Sequence, residues 1–297
     1  MANSLLFGAN IDPSVGRQEL AFRLAQVADQ TALDLITLQD HPYNRNFFDT
    51  WTLLTALAMR TERVHVGANV FNLPLRPPAM LAKQAATLDV LTGGRVEVGL
   101  GAGAFWQGVV AMGGEERTPG EAYTAFEEAL HILRGMWDNA DRSFTYQGQF
   151  YRVQGARPGP KPAHHIRIWT GANGPRMQKL TGRMADGLIL SYSYVPPQRL
   201  PEMNENVDAG AEEAGRSPDE IRRAYNLMGV ITDGANSPQV EGITGPVQHW
   251  IDEILRLYHD YRQDTFLYWP IGGDEVRQIE IWANEVAPAV KEALGTA

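Results

Sequence analysis

Short apolar runs alternate with longer amphipathic stretches along nearly the whole chain. Apolar runs at 5–11, 33–38, 64–70, 96–100, 166–170, 187–191, 221–231 and 266–269 predict strands. Between them, apolar residues recur at helical spacing, as with Leu20, Leu24, Val27 and Ala28 in the stretch 18–30. The same period predicts helices over 51–59, 78–91, 121–137, 175–185, most of 197–215, 247–261 and 275–294. Local signals mark several ends. Thr118 followed by Pro119 opens one helix, Gly93-Gly94 stops another, and Gly245-Pro246 precedes a third. Pro288 is expected to kink or interrupt the last stretch.

Eight strand–helix units in sequence imply parallel strands with helices outside. Even spacing without a break favours closure into a single-domain (β/α)8 TIM barrel over residues 1–297, rather than an open doubly wound sheet. One segment breaks the rhythm. Residues 138–165 carry strand-forming residues on both sides of Gln147-Gly148 and then a proline-rich connector, which predicts an inserted β-hairpin.

Composition narrows the function more than the fold. The 297 residues carry 26 basic and 35 acidic side chains, a formal net charge of -9, which argues against a nucleic-acid partner. With no cysteine there is no disulfide, thiolate nucleophile or cysteine-based metal site. No apolar run approaches the ~18 residues of a membrane span, and the first residues lack a leader pattern, so a cytoplasmic protein is expected.

In such barrels, chemistry sits at the C-terminal ends of the strands. Those positions hold aromatics, amides, two glycine turns and one carboxylate–imidazole pair, Asp40-His41. A histidine there can shuttle protons near neutral pH, and a neighbouring carboxylate can orient it. Gly99-Leu100-Gly101-Ala102-Gly103 follows a strand but lacks the downstream acidic residue of a dinucleotide fingerprint; it reads instead as a turn that lets a flat ligand approach the backbone. Gly171-Ala172-Asn173-Gly174 leads into a helix N-terminus, with N–H groups suited to an anion and Arg176 nearby. Trp106, Tyr192, Tyr194 and Trp269 are the aromatic candidates for a substrate pocket. The set suits a flat aromatic ligand with a phosphate tail. His65 lies within a strand and His131 within a helix, and both read as structural. His164 and His165 are adjacent and point apart on an extended chain, with no partner cluster visible in sequence, so no metal site is expected.

LQDHPY after the second strand, VGANV after the third, LDVLTGGRVEVGLGAG and PGPKPAHHIRIWTGANGPRMQKLTGRMADG together resemble the luciferase-like monooxygenase superfamily, in its branch similar to coenzyme F420-dependent oxidoreductases. The resemblance spans nearly the whole chain and implies a (β/α)8 barrel. It implies that Asp40 and His41 lie beside an isoalloxazine-type ring. It places a non-prolyl cis peptide at Asn69-Val70 behind that ring and Gly101, Ala102 and Gly103 next to it. Gly171, Ala172, Asn173 and Gly174 would take the cofactor phosphate. There are departures. Ala104 stands where several deazaflavin dehydrogenases carry a glutamate proton donor, and SYSYVPPQ after strand six has no lysine for a sugar phosphate. A small, apolar substrate is expected. Gln39-Asp40-His41, in place of a Glu-His-His triplet, favours coenzyme F420 over FMN. The resemblance further implies a homodimer. A partner reductase belongs to the alternative of an FMN-dependent monooxygenase; a barrel that binds the cofactor without catalysis is the other alternative.

Overall fold

The computed structural model describes residues 4–232 and 242–295. Its first strand, β1 (Leu6–Ile11), shows how the sequence sorts itself. Side chains alternate across a strand, so Phe7, Ala9 and Ile11 face the helices and Leu6, Gly8 and Asn10 face the other way. The remaining elements in order are α1 (Gln18–Gln30), β2 (Leu35–Leu38), α2 (Thr50–Ala58), β3 (His65–Ala68), β4 (Phe71–Asn72), α3 (Pro78–Thr92), β5 (Val98–Gly101), α4 (Trp106–Ala111) and α5 (Pro119–Asp138). The hairpin β6 (Phe144–Gln147) and β7 (Arg152–Ala156) comes next, then β8 (Ile168–Gly171), α6 (Pro175–Met184), β9 (Gly187–Ser191), α7 (Leu200–Glu213), β10 (Arg222–Ile231) and β11 (Ile243–Gly245). The chain ends in α8 (Val247–Tyr261), β12 (Thr265–Pro270), α9 (Glu275–Ile281) and α10 (Ala287–Ala293).

All pairings in the main sheet are parallel, in the order β3-β2-β1-β12-β10-β9-β8-β5-β4. A bridge between Val66 of β3 and Val96, just ahead of β5, draws the two ends together. The sheet is therefore a nearly closed barrel, as the alternating pattern predicts. A small set inside it (Leu35, Trp169, Ile189, Ala224 and Leu267, with Leu6 and Val70 against them) is separate from the larger core between strands and helices. The first and last strands are locked by aromatics: Trp282 lies 5.5 Å from Phe7 and 5.3 Å from Tyr268, and its Nε1 donates to the Gly8 carbonyl.

Most boundaries agree with the sequence to within a few residues. Thr118 and Glu121 form a reciprocal capping box, and Gly93 closes α3 at φ 70°, a left-handed conformation that glycine adopts without strain. The last stretch breaks ahead of Pro288, through a π-helical segment, Trp282–Val286. The inserted hairpin forms and lies along α5. There the buried carboxylate of Glu128 accepts the backbone N–H groups of Gln149, Phe150 and Tyr151. Three local features differ from expectation. The third strand splits into β3 and β4, because Asn69-Val70 is a cis peptide between them. The stretch after β5, where no helix is predicted, holds the short helix α4. An additional strand, β11, pairs with β10.

Candidate active site

The strand split shapes the C-terminal mouth. The cis peptide carries Val70 inward, toward the barrel interior. A Cβ on Gly101 would lie 2.8 Å from Val70 Cγ2, and one on Gly171 3.2 Å from the same atom. The two glycines thus make room for a valine supplied by a neighbouring strand. The sequence had suggested only backbone access to a ligand there.

Beside this wedge is a cavity of about 360 Å³. Its walls bring together segments far apart in sequence: Asp40, His41 and Tyr43 after β2, Asn69–Asn72, Gly101–Ala104 after β5, and Gly171–Asn173 after β8, with Met177, Ile189–Ser191 and Tyr194 completing them. Asp40, His41, Asn69, Val70, Gly101, Ala102, Gly103, Gly171, Ala172 and Asn173 therefore share one cavity. Gly174 stands just outside it as the N-cap of α6. That helix begins with Pro175 and has no side-chain cap, so its first-turn N–H groups await an acceptor. Arg176 does not turn to this end; its guanidinium sits 4.4 Å above the Tyr123 ring.

The aromatic candidates separate. Tyr194 lines the cavity and is 78% exposed at its rim. Trp106 begins α4 and packs over Gly103, where a Cβ would come within 3.1 Å of its ring. Tyr192 turns toward Tyr225, centroid to centroid 6.0 Å. Trp269 is half-buried on β12 and is not in the cavity lining.

Asp40 is buried, and both its oxygens are engaged. Oδ2 accepts from the Asn72 backbone N–H at 2.8 Å and from Arg76 Nε at 2.6 Å; Oδ1 accepts from the Arg76 guanidinium at 2.7 Å. Arg76 also reaches Asp49 at 2.7 Å. Burial pulls the Arg76 pKa down, but the hydrogen bonds and charges of Asp40 and Asp49 outweigh it and raise the value. Asp40 thus ties the segment after β2 to the one that follows the Val70 bulge. His41 is oriented differently. Its ring lies nearly parallel to Tyr43, 5.7 Å away, with Phe47 beyond at 6.2 Å. Partial dehydration lowers its pKa below the usual histidine value, against the opposing pull of Asp40. Tyr43 is shifted upward by burial and by Asp40, so it stays an O–H donor at neutral pH. Asn72 Oδ1, also in the cavity wall, is buried without a hydrogen-bond partner among the described residues. Reading along the sequence finds neither Arg76 nor Tyr43 nor Asn72, because each acquires its role only through the folded loop crossing.

Against known proteins, the model of the luciferase-like monooxygenase family matches residues 8–291. The chain belongs to that family. Among luciferase-like relatives, the 5,10-methylenetetrahydromethanopterin reductase of Archaeoglobus fulgidus is 31% identical over 228 residues, 76% of this chain and 65% of the reductase. The match thus spans just under two thirds of that relative's length. The F420-dependent glucose-6-phosphate dehydrogenase of Nocardia farcinica is 31% identical over 315 residues, 90% of this chain and 93% of the dehydrogenase. Among solved structures, an F420-dependent secondary alcohol dehydrogenase in complex with an F420-acetone adduct superposes with a TM-score of 0.86 at 22% identity, covering 97% of this chain and 99% of that one. This likeness establishes the luciferase-like barrel fold. No helix among the described residues is long and apolar enough to cross a membrane.

Proposed function

We propose that this luciferase-like protein is an oxidoreductase that moves a hydride between coenzyme F420 and a small, apolar organic substrate. The observation that carries the reading is the cavity itself, which gathers His41, the Val70 wedge and both glycine turns at one mouth. The residues present fit a deazaflavin. Gly101 and Gly171 keep the wall flat beside Val70, and Asn72 Oδ1 is an orphaned acceptor for a ring N–H. The uncapped start of α6 offers N–H groups to a phosphate. The names of the curated relatives, two unrelated substrates with F420 in one of them, support the same cofactor class.

When bound, the deazaflavin supplies a carbon centre that accepts or gives a hydride. Everything else falls to this chain. Val70 and the two turns hold one side of the ring; Met177, Ile189 and Leu190 line the rest with apolar surface. His41, neutral near pH 7, takes the proton from a substrate hydroxyl as its carbon is oxidised, or returns it in the reverse direction. Tyr43 donates a hydrogen bond at the same end. Asp40 is a positioning residue, since its oxygens are already taken by Arg76 and Asn72. With alanine at 104, His41 carries the proton transfer alone. Among the described residues no lysine lines the cavity, which disfavours a phosphorylated sugar.

The test is a pair of fluorescence titrations, with coenzyme F420 and with FMN, followed by turnover of His41→Ala. Binding of F420 and a kcat reduced ~10²-fold with F420 affinity retained are expected. Binding of neither cofactor, or unchanged turnover, rules the reading out. Oxygen consumption with reduced FMN would instead place the protein with flavin monooxygenases.

A further inference from the structure

The opposite mouth of the barrel carries a second cluster that the proposed reaction does not use. There the segments entering β3, β5 and β8 converge. His65 Nδ1 lies 3.3 Å from Glu97 Oε1, and His164 Nε2 lies 3.8 Å from the same oxygen. The three ligand-type atoms all fall within 4.8 Å of one another. In a tetrahedral site with ~2.0–2.1 Å bonds, ligand atoms stand about 3.3 Å apart. Small side-chain shifts would therefore suffice to converge all three on one ion.

Three further features point the same way. First, the His164 ring is oriented from behind: Asp89 Oδ1 is 2.7 Å from its Nδ1, and Asp89 is fixed by the backbone N–H groups of Val96, Ala163 and His164. A carboxylate behind a histidine is the usual outer support of a metal-bound imidazole. Second, His164 Nε2 is buried and has no hydrogen-bond partner among the described residues, Glu97 Oε1 at 3.8 Å lying beyond hydrogen-bond length. Third, a cavity of about 250 Å³ adjoins His65 and Glu97, and Trp169 Nε1 in its wall is a buried donor without an acceptor among the described residues. That space can admit water or a small anion at a fourth position. Glu97 Oε2 is held by the Arg167 backbone N–H at 2.9 Å, which leaves Oε1 as the available oxygen. The competitor is the Arg167 guanidinium, 3.0 Å from Oε1 on a side chain open enough to swing away.

We infer that His65, Glu97 and His164 form a binding site for a divalent transition-metal ion, with Zn²⁺ the best match to two imidazoles and a carboxylate. The ion would cross-link the starts of three barrel strands, at the face where the fold is stabilised rather than where it does chemistry. Sequence alone hides the site: the ligands are separated by 32 and 67 positions (97 − 65 and 164 − 97), and His164 came with the misleading neighbour His165.

The test uses tag-free full-length protein, stripped with chelator and titrated with ZnCl₂ and, separately, CoCl₂. One Zn²⁺ per chain, a Co²⁺ d–d absorption band and a rise in melting temperature with added Zn²⁺ are expected. At free Zn²⁺ 100-fold above Kd, the unfolded-to-folded ratio should fall about 100-fold. His65→Gln and Glu97→Gln should each weaken binding at least tenfold, whereas Arg167→Gln, which removes the competing cation, should tighten it. Arg167→Gln keeps the test decisive if either of the others fails to fold. Substoichiometric uptake, no Co²⁺ band, or affinity indifferent to all three substitutions would overturn the assignment.

Discussion

At the N-terminal mouth, charge is neutralised by design of the loops. Glu97 is buried, which alone would raise its pKa, yet the nearby imidazoles of His164 and His65 and the charge of Arg167 hold it at about 2. Arg95, also buried, spends its donors on the carbonyls of Ala58, Thr61, Val64 and Thr92 and on the Thr61 hydroxyl. At the C-terminal mouth the ion pair Arg76–Asp40 is equally tight, but around it lie Asn72 Oδ1 and the first N–H groups of α6. Charged groups are thus paired at both mouths, and each keeps orphaned polar atoms among the described residues, His164 Nε2 and Trp169 Nε1 at the first, Asn72 Oδ1 and the first N–H groups of α6 at the second; what differs is the space beside them, about 250 Å³ against about 360 Å³. Polar groups left unpaired in a buried setting are costly unless a ligand meets them. That difference in space supports the proposal that the cofactor sits at the C-terminal mouth.

Removing the arginine from each mouth tests whether the two pairings do different work. Arg76→Ala strands a buried Asp40 and frees the loop beyond Val70. Unfolding in urea should show a loss of about 3 kcal/mol or more, and turnover should fall with it. Arg95→Ala leaves several buried carbonyls without donors at the far mouth. It should cost about 2–3 kcal/mol, while kcat and KM of the surviving folded protein stay unchanged. Equal loss of activity in both variants would erase the distinction between the mouths.

A smaller effect should appear in the pH profile. The folded His41 pKa lies below the free value of ~6.5, so the unfolded chain binds that proton more readily. Its contribution to stability is present above that free value and is lost as pH falls through the lower, folded one. For the reaction, neutral His41 persists to lower pH than an ordinary histidine. The acid limb of kcat/KM should therefore have its midpoint below 6.5 and disappear in His41→Gln. A midpoint above 6.5 would mean that another group titrates.

How far the sequence could lead follows the same division. Strand and helix alternation is a local, periodic signal, and the barrel was legible from it; so were the Thr118 cap and the hairpin at Gln147-Gly148. Positions at strand ends were also legible, which is why Asp40, His41, Asn69, Val70 and the turns at 101–103 and 171–173 all line one cavity. Position did not reveal direction. Trp106, Tyr192 and Trp269 occupy strand-end segments, yet Trp106 packs over Gly103, Tyr192 turns toward Tyr225, and Trp269 is not in the cavity lining. Nor did it reveal partners across 30 or more residues: the Arg76–Asp40 pair, the glycines that house Val70, and the His65–Glu97–His164 grouping exist only once loops meet in space.

Tyr194 offers the mildest and most selective test. It is the one sequence-predicted aromatic that reaches the cavity, and it does so from the rim. Phe105 stands 51% exposed at the entry to α4, its ring 5.1 Å from that of Tyr43 in the cavity wall. Exposed apolar side chains near a cavity mouth gain burial only when something fills it. Truncating Tyr194 therefore removes contact made equally in the bound ground state and the transition state. Such uniform binding changes KM and leaves kcat alone. Tyr194→Ala should raise KM for an apolar substrate roughly fivefold, the equivalent of about 1 kcal/mol, while F420 affinity measured by fluorescence is preserved. If kcat falls and KM holds, the tyrosine acts on the reacting atoms, and the C-terminal mouth has a second proton-handling group beside His41.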